Sequence, residues 1–199
     1  VMAYAGGTSP EVVFDDLESW LPELRENLGP IPMPDGLSIF LTESGGGMEY
    51  YGGTITSLRA LDHEVFHMYY GCSTVALTYR DSWWDEAINM WYELSADADY
   101  PAIPDGYRSN MVSSRTPISN GFDTRAYDEG ARIIQAVAAE MGGRGEMIAF
   151  LADLHQRRMF DPFNTFDLVD EIEDYCGADM FDRFLNWLYD GSRTYYATS

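Results

Sequence analysis

The stretch His63-Glu64-Val65-Phe66-His67 decides the interpretation of this sequence. On a helix, residues i and i+4 lie one turn apart on the same face, so both imidazoles can reach one metal ion. Glu64 projects beside the first histidine, where a carboxylate can hold a water molecule and take its proton. The whole chain has three histidines, and two of them lie in this stretch. We expect a zinc site here; the alternative is a helix with two unrelated surface histidines.

Glu86 is the candidate for a third zinc ligand, with eighteen residues between it and His67. A catalytic zinc has three protein ligands and one open position. Trp83 and Trp84 precede Glu86 and predict a buried helix, in which a glutamate needs a partner. The sequence therefore predicts one Zn²⁺ ion held by His63, His67 and Glu86. The alternative is a first-turn glutamate that faces solvent.

The charge of the chain is strongly negative, with 33 acidic against 12 basic side chains and a net charge of −21. All the basic side chains are arginines. Nucleic acids and anionic membranes would be repelled, so neither is expected as a partner. The acids are scattered along the chain, which favours adaptation to a salty habitat over recognition of a cationic substrate.

Compartment and assembly are weakly constrained by the sequence. No apolar run approaches the length of about 20 residues that a membrane span needs, and no signal-peptide pattern is present in these residues. Cys72 and Cys176 could form one disulfide, although each more often lies singly in a core. A secreted or cell-surface location is somewhat favoured over the cytoplasm of a salt-adapted organism, and the oligomeric state is left open.

The order of elements predicts an α+β protein that forms one domain over residues 1–199. A helix at 10–28 and extended segments at 37–41 and 48–56 indicate a small mixed sheet in the first part, residues 1–56. Residues 57–199 are predicted to be a mainly helical bundle that carries the metal site. Its helices are expected near 57–71, 82–98, 122–142, 144–158, 166–176 and 178–190, with a long loop at 100–121. His155 is expected to be a cation at the end of its helix, not a ligand.

Five segments of the chain stand out: His63-Glu-Val-Phe-His-Met-Tyr-Tyr-Gly71, Trp84-Asp-Glu-Ala87, Gly46-Gly-Met-Glu-Tyr50, Tyr127-Asp-Glu-Gly130 and the closing stretch Thr165–Leu188. Together they resemble the catalytic domain of the aminopeptidase N family of gluzincins. They are similar to the family's His-Glu-x-x-His-x-Trp-x-Gly, Leu-Asn-Glu-Gly, Gly-Ala-Met-Glu-Asn and Tyr-Glu-Lys-Gly motifs and to its closing helices. The resemblance covers most of the chain and implies a compact, thermolysin-like zinc metallopeptidase domain. The chain departs from the motifs at Tyr69, where the family has tryptophan, at Tyr50, where it has asparagine, and at Glu129, where it has lysine.

The resemblance implies roles for residues outside the ligand set. Glu49, with Gly47 and Met48, would line the cleft on an edge strand and bind the free α-amine of a substrate; the alternative is a solvated loop acid. Tyr127 would donate a hydrogen bond to the oxyanion of the tetrahedral intermediate, the alternative being a core tyrosine.

Two further acids are expected close to the ligands. Asp85 precedes Glu86, and Glu93 lies at the spacing of another acid in the family's pattern. A carboxylate in such a place can orient a ligand histidine by accepting its hydrogen bond. A surface position for Glu93 is the alternative.

The resemblance as a whole implies an aminopeptidase that hydrolyses N-terminal peptide bonds with a zinc-activated water and Glu64 as general base. Full aminopeptidases of the family add to such a core an N-terminal β domain and often a large helical domain. A cleft without that helical domain would be more open, so an endopeptidase or processing protease is a second hypothesis. A non-catalytic peptide-binding module on the same fold is a third.

Overall fold

The structure is a computed structural model, and it describes residues 2–5, 9–33, 36–43, 45–94, 102–109, 111–112 and 125–189. The strands are β1 (Met2–Ala5), β2 (Ser38–Leu41), β3 (Gly47–Tyr50) and β4 (Gly53–Thr56). The α-helices are α1 (Pro10–Leu28), α2 (Leu61–Phe66), α3 (Trp83–Leu94), α4 (Arg125–Met141), α5 (Arg144–Arg158), α6 (Thr165–Cys176) and α7 (Phe181–Tyr189). A short 3-10 turn, Leu58–Ala60, leads into α2. The strands lie in the first part of the chain and most of the helices follow them, which is the α+β order that the sequence predicts.

The four strands form one mixed sheet in the order β1-β2-β4-β3. β2 pairs in parallel with β1 and β4, whereas β3 pairs antiparallel with β4 at the edge of the sheet. Glu49 is paired with Thr54, which is paired with the buried Ile39, so these three residues lie on the same face. Because side chains alternate along a strand, Met48 belongs to the opposite face. The inner face of the sheet packs against α1 and α2 through a core that includes Val13, Leu17, Leu61 and Val65.

The helix predicted at 57–71 is shorter in the structure than expected. The α-helical part ends at Phe66, and the chain then curls back on itself. Cys72 donates its main-chain N–H to His67 O at 2.9 Å, and Gly71 adopts a φ of +120°, a conformation that favours glycine. The prediction was wrong because the sequence pattern did not mark the tight turn after the second histidine.

The later helices begin and end close to the predicted residues. α5 has the predicted bounds, and α6 begins after Asn164, whose side chain caps the helix reciprocally with Asp167. Predicted helical residues 95–98 and 122–124, and much of the loop 100–121, lie outside the described residues.

Within the described part of the chain, none of the helices combines the length and apolar character needed to cross a membrane. Cys72 and Cys176 are both free thiols.

α3 and α4 pack closely in the large helical core, and this packing positions the site. Gly130 on α4 makes the approach possible, because a Cβ there would lie 2.7 Å from Ala87 Cβ on α3.

His155 on α5 is not the helix-terminal cation that the sequence predicted. It is 2% exposed, its Nδ1 lies 2.8 Å from Thr74 Oγ1, and burial lowers its pKa to about 4. It is therefore a neutral core residue near neutral pH and not a helix-terminal cation.

Candidate metal centre

Three side chains from two helices converge at the end of α2. His63 Nε2 lies 3.1 Å from Glu86 Oε2, His67 Nε2 lies 3.4 Å from the same oxygen, and the two Nε2 atoms are 3.3 Å apart. Ligand atoms at the corners of a tetrahedron with metal–ligand bonds of about 2.0–2.1 Å are about 3.3 Å apart. The spacing of the three atoms therefore fits a tetrahedral zinc with one remaining position.

The surroundings of the two histidines orient their Nε2 atoms toward this centre. His67 Nδ1 lies 2.9 Å from Tyr70 O, and since a carbonyl can only accept, Nδ1 carries the proton. His63 Nδ1 lies 3.3 Å from Glu93 Oε1; the pair does not have hydrogen-bond geometry, but the charge of the carboxylate favours a proton on Nδ1. In the neutral rings the Nε2 lone pairs then face each other and the Glu86 carboxylate. Such a group of acceptors attracts a cation.

The pKa values of the three groups show how strongly the cluster favours positive charge. Burial lowers the pKa of His63, but Glu86 and Glu93 outweigh it and raise the pKa to about 10. Burial likewise lowers the pKa of His67, and Glu86 raises it to about 9. Burial raises the pKa of Glu86, but the two histidines bring it down to about 2. The same carboxylates would stabilise a divalent cation bound by the three side chains.

Glu64 is a buried carboxylate in the same cleft. It is 5% exposed, and its Oε2 has no hydrogen-bond partner among the described residues. Burial raises the pKa of Glu64, as do Glu49 and Glu86, whereas His63 and His67 lower it; the resulting pKa is about 7. A carboxyl group with a pKa near neutrality can both take and return a proton.

Tyr127 reaches the centre from α4. Its ring stacks on the imidazole of His63 with centroids 6.2 Å apart, and its hydroxyl donates to Glu86 Oε1 at 2.8 Å. Burial and the negative charge of Glu86 raise the pKa of Tyr127, so the hydroxyl stays protonated and able to donate. In the sequence, Tyr127 shares a helical stripe with Ala131, Ile134, Ala138 and Met141, and this stripe predicts that Tyr127 faces inward. The prediction is correct, and the other four residues of the stripe are buried.

A cleft of about 560 Å³ connects the remaining predicted residues with the centre. Gly47, Met48 and Glu49 of β3 line it, together with Asp85 and the groups described above. Glu49 is half-buried and belongs to the inner face of the sheet. Asp85 Oδ1 accepts the main-chain N–H of Glu86 at 2.6 Å, and burial raises the pKa of Asp85 to about 7. The structure thus brings every sequence-predicted site residue to the cleft or, for Glu93, to the back of His63.

Two groups that position the ligand histidines were not predicted from the sequence. Asn89 on α3 is fully buried and donates Nδ2–H to His63 O at 2.9 Å. The main-chain oxygen of Tyr70 fixes the His67 ring, and a Cβ at Gly71 would lie 3.0 Å from His67 Nδ1. Asn89 could have been suspected from its place between Glu86 and Glu93 on one helical face. A main-chain carbonyl gives no such signal.

The fold and the site together define a chain with a small mixed sheet, a helical region and a two-histidine, one-glutamate centre between two helices. Solved structures of M1 zinc metallopeptidases have the same fold. The chain superposes on the M1 zinc metallopeptidase of Deinococcus radiodurans with a TM-score of 0.69 and 22% identity, covering 94% of this chain and 46% of that one.

Two other solved structures also superpose on this chain. Leukotriene A4 hydrolase from Saccharomyces cerevisiae matches with a TM-score of 0.69, 16% identity, and coverage of 87% of this chain and 34% of that one. Legionella pneumophila aminopeptidase A in complex with aspartic acid matches with a TM-score of 0.71, 12% identity, and coverage of 94% and 26%. The chain spans less than half the length of each. No protein-family model and no curated protein sequence matches it.

Proposed function

We propose that this chain is the thermolysin-like catalytic domain of a zinc-dependent metallopeptidase, and that it acts as an aminopeptidase. The observation that carries the proposal is the triangle of His63, His67 and Glu86 ligand atoms, 3.1–3.4 Å apart, in a cleft that also holds Glu64. The shared fold with M1 zinc metallopeptidases supports it.

Hydrolysis in this cleft needs a base that deprotonates water and an acid that protonates the leaving amine. When bound, a zinc ion supplies a Lewis acid that acidifies water and polarises the scissile carbonyl. Glu64 takes a proton from the attacking water and delivers it to the leaving amine. Its buried Oε2, which has no partner in the part of the chain that the structure describes, and its pKa of about 7 suit both halves of this cycle.

Tyr127 stabilises the negative charge that develops on the substrate carbonyl oxygen. Its hydroxyl is the donor, and in the structure it donates to Glu86 Oε1. During the reaction it must exchange this carboxylate oxygen for the substrate oxygen. The stacking of its ring on His63 keeps the hydroxyl beside the centre during that exchange.

Glu49 is the group that makes an aminopeptidase the preferred activity. It lies on the edge strand, on the inner face of the sheet, and in the same cleft as the centre. A carboxylate in this place pairs with the free α-ammonium of a peptide and sets the first peptide bond at the reacting atoms. An endopeptidase would not need such an anchor.

Zinc analysis combined with an aminoacyl-amide assay tests the proposal. We expect one zinc per chain and turnover that is abolished in Glu64→Gln while the metal is retained. A protein that binds zinc but cleaves no peptide would instead be a binding module. Comparison of free and N-acetylated peptides tests the exopeptidase assignment: cleavage of both at equal rates would leave Glu49 without its role and favour an endopeptidase.

A further inference from the structure

One helix contacts His63 at three separate points. From α3, Glu86 Oε2 lies 3.1 Å from Nε2, Glu93 Oε1 lies 3.3 Å from Nδ1, and Asn89 Nδ2 donates to the main-chain oxygen at 2.9 Å. Residues 86, 89 and 93 are spaced i, i+3 and i+7, so they form one face of the helix. We propose that Asn89 is a positioning residue of the metal centre, which holds the backbone of His63 at the distance from Glu86 that a shared cation requires. The inference rests on the proposed zinc site.

Burial of the Asn89 amide lowers the stability of the fold, and packing gives no reason for an amide here. Its hydrogen bond to His63 does. The side chain is 0% exposed, and its Oδ1 has no hydrogen-bond partner within the part of the chain that the structure describes. A buried amide oxygen without a partner destabilises a fold, and an apolar residue of the same shape would avoid that cost. Packing alone therefore does not account for asparagine here, whereas the bond from Nδ2 to a ligand residue does.

The segment that Asn89 holds is weakly held by its own helix. α2 has six residues, which is far below the length at which a helix is stable without tertiary contacts. The carbonyl of His63 accepts one hydrogen bond from within the turn, from His67 N, and that bond is long at 3.3 Å. Asn89 adds the second and shorter bond from a neighbouring helix. It thereby couples the position of one ligand, His63, to the helix that provides another, Glu86.

Asn89→Leu separates this role from a structural one. Leucine has the same number of side-chain heavy atoms, and it removes the donor together with the unpartnered acceptor. The carbonyl of His63 keeps its bond from His67 N. We therefore expect the metal-free variant to unfold at a temperature no lower than the metal-free wild type. Its dissociation constant for zinc should nevertheless rise by about 10-fold, as is typical when a group that orients a metal ligand is lost.

Two measurements report the effect without relying on activity: the dissociation constant from chelator competition, and the visible absorption spectrum of the cobalt-substituted protein. Gln135→Met is the matched control. Gln135 is an amide on α4 that accepts from Trp91 Nε1 at 2.7 Å. The control should lose stability and keep both the zinc affinity and the cobalt spectrum of the wild type. Asn89→Ala, which cannot overpack the site, serves if the leucine variant does not fold, and the same weakening is expected.

The outcomes are distinct. Weaker zinc binding with an altered cobalt spectrum in the Asn89 variants alone supports the proposal. Unchanged affinity and spectrum overturn it, and so does an equal loss in Gln135→Met, which would indicate general packing. If the wild type itself binds no zinc, the proposed metal site is wrong, which is a separate failure.

Discussion

Gly47 on the edge strand lies directly against the side chain of Glu64 on α2. A Cβ at position 47 would be 2.5 Å from Glu64 Cγ and closer still to the carboxyl group. A contact that short cannot be accommodated without moving the carboxylate, because real Cβ atoms essentially never approach so closely. The glycine is therefore required for the position of the proposed base, in addition to any contact of its backbone with substrate.

Gly47→Ala is expected to reduce catalysis while leaving the metal in place. A displacement of a catalytic group by about 1 Å can cost on the order of 10²-fold in rate, and we expect a loss of this size in kcat. Zinc content should match the wild type, since no ligand atom is touched. Gly46→Ala is the control, because no atom of the described residues lies within 4 Å of a Cβ there. Equal activity of the Gly47 and Gly46 variants would contradict the assignment of Glu64 as base.

Tyr127→Phe is expected to lower kcat by on the order of 10²-fold to 10³-fold, the usual cost of losing one oxyanion donor. KM should change little, because the hydroxyl acts on charge that develops during the reaction. Steady-state kinetics with an aminoacyl amide provides both constants. Tyr107→Phe is the matched control, since that hydroxyl donates to Glu129 at 2.6 Å, away from the ligands. A Tyr127→Phe enzyme of normal kcat would assign the tyrosine to packing.

Removal of the metal is expected to destabilise the fold. A zinc ion that binds only the folded state adds about 4 kcal/mol of stability at a free concentration 1,000 times its dissociation constant. For a chain of this size that corresponds to a rise in melting temperature of roughly 10 °C. Thermal melts with zinc and with a chelator measure the difference. Glu86→Gln should reduce the shift markedly, and a shift of full size in that variant would exclude Glu86 as a ligand.

The parts of the site that the sequence predicts are those set by local spacing. His63 and His67 are placed by helical periodicity, Glu86 by a buried helix start, and Tyr127 by an inward stripe. Most helices have the expected bounds for the same reason. Asn89 and the fit of Gly47 against Glu64 depend on how closely separate elements approach, and no periodic pattern encodes that distance. Strand β1 was missed because it depends on pairing with β2, which is distant in sequence. The end of α2 at Phe66 was missed because a helical pattern does not mark the tight turn that follows His67.

Salt is expected to stabilise this protein more than it does an ordinary one. A net charge of −21 on 199 residues makes the folded state repel itself, and added ions screen that repulsion. The melting temperature should rise as KCl is increased from low to molar concentration. Sucrose at matched osmolality is the control for general exclusion effects. A melting temperature that does not depend on KCl would remove the support for a salty habitat.

The buried neutral His155 predicts a specific loss of stability in acid. Burial lowers its pKa from 6.5 to about 4 in the folded protein. As pH falls, the unfolded chain therefore binds the proton first, so the contribution of this residue is complete above pH 6.5 and is lost between pH 6.5 and about 4. The shift corresponds to about 3 kcal/mol at most.

His155→Gln removes the titration while keeping a polar group near Thr74. Denaturant unfolding of both proteins across this pH range gives the difference in stability, in which the contributions of the many carboxylates cancel. We expect the wild type to lose stability relative to the variant as the pH falls through the window. A difference that stays constant with pH would show that protonation of His155 in the folded protein costs no free energy. That result would contradict the burial of His155 and the lack of a hydrogen-bond partner for its Nε2 among the described residues.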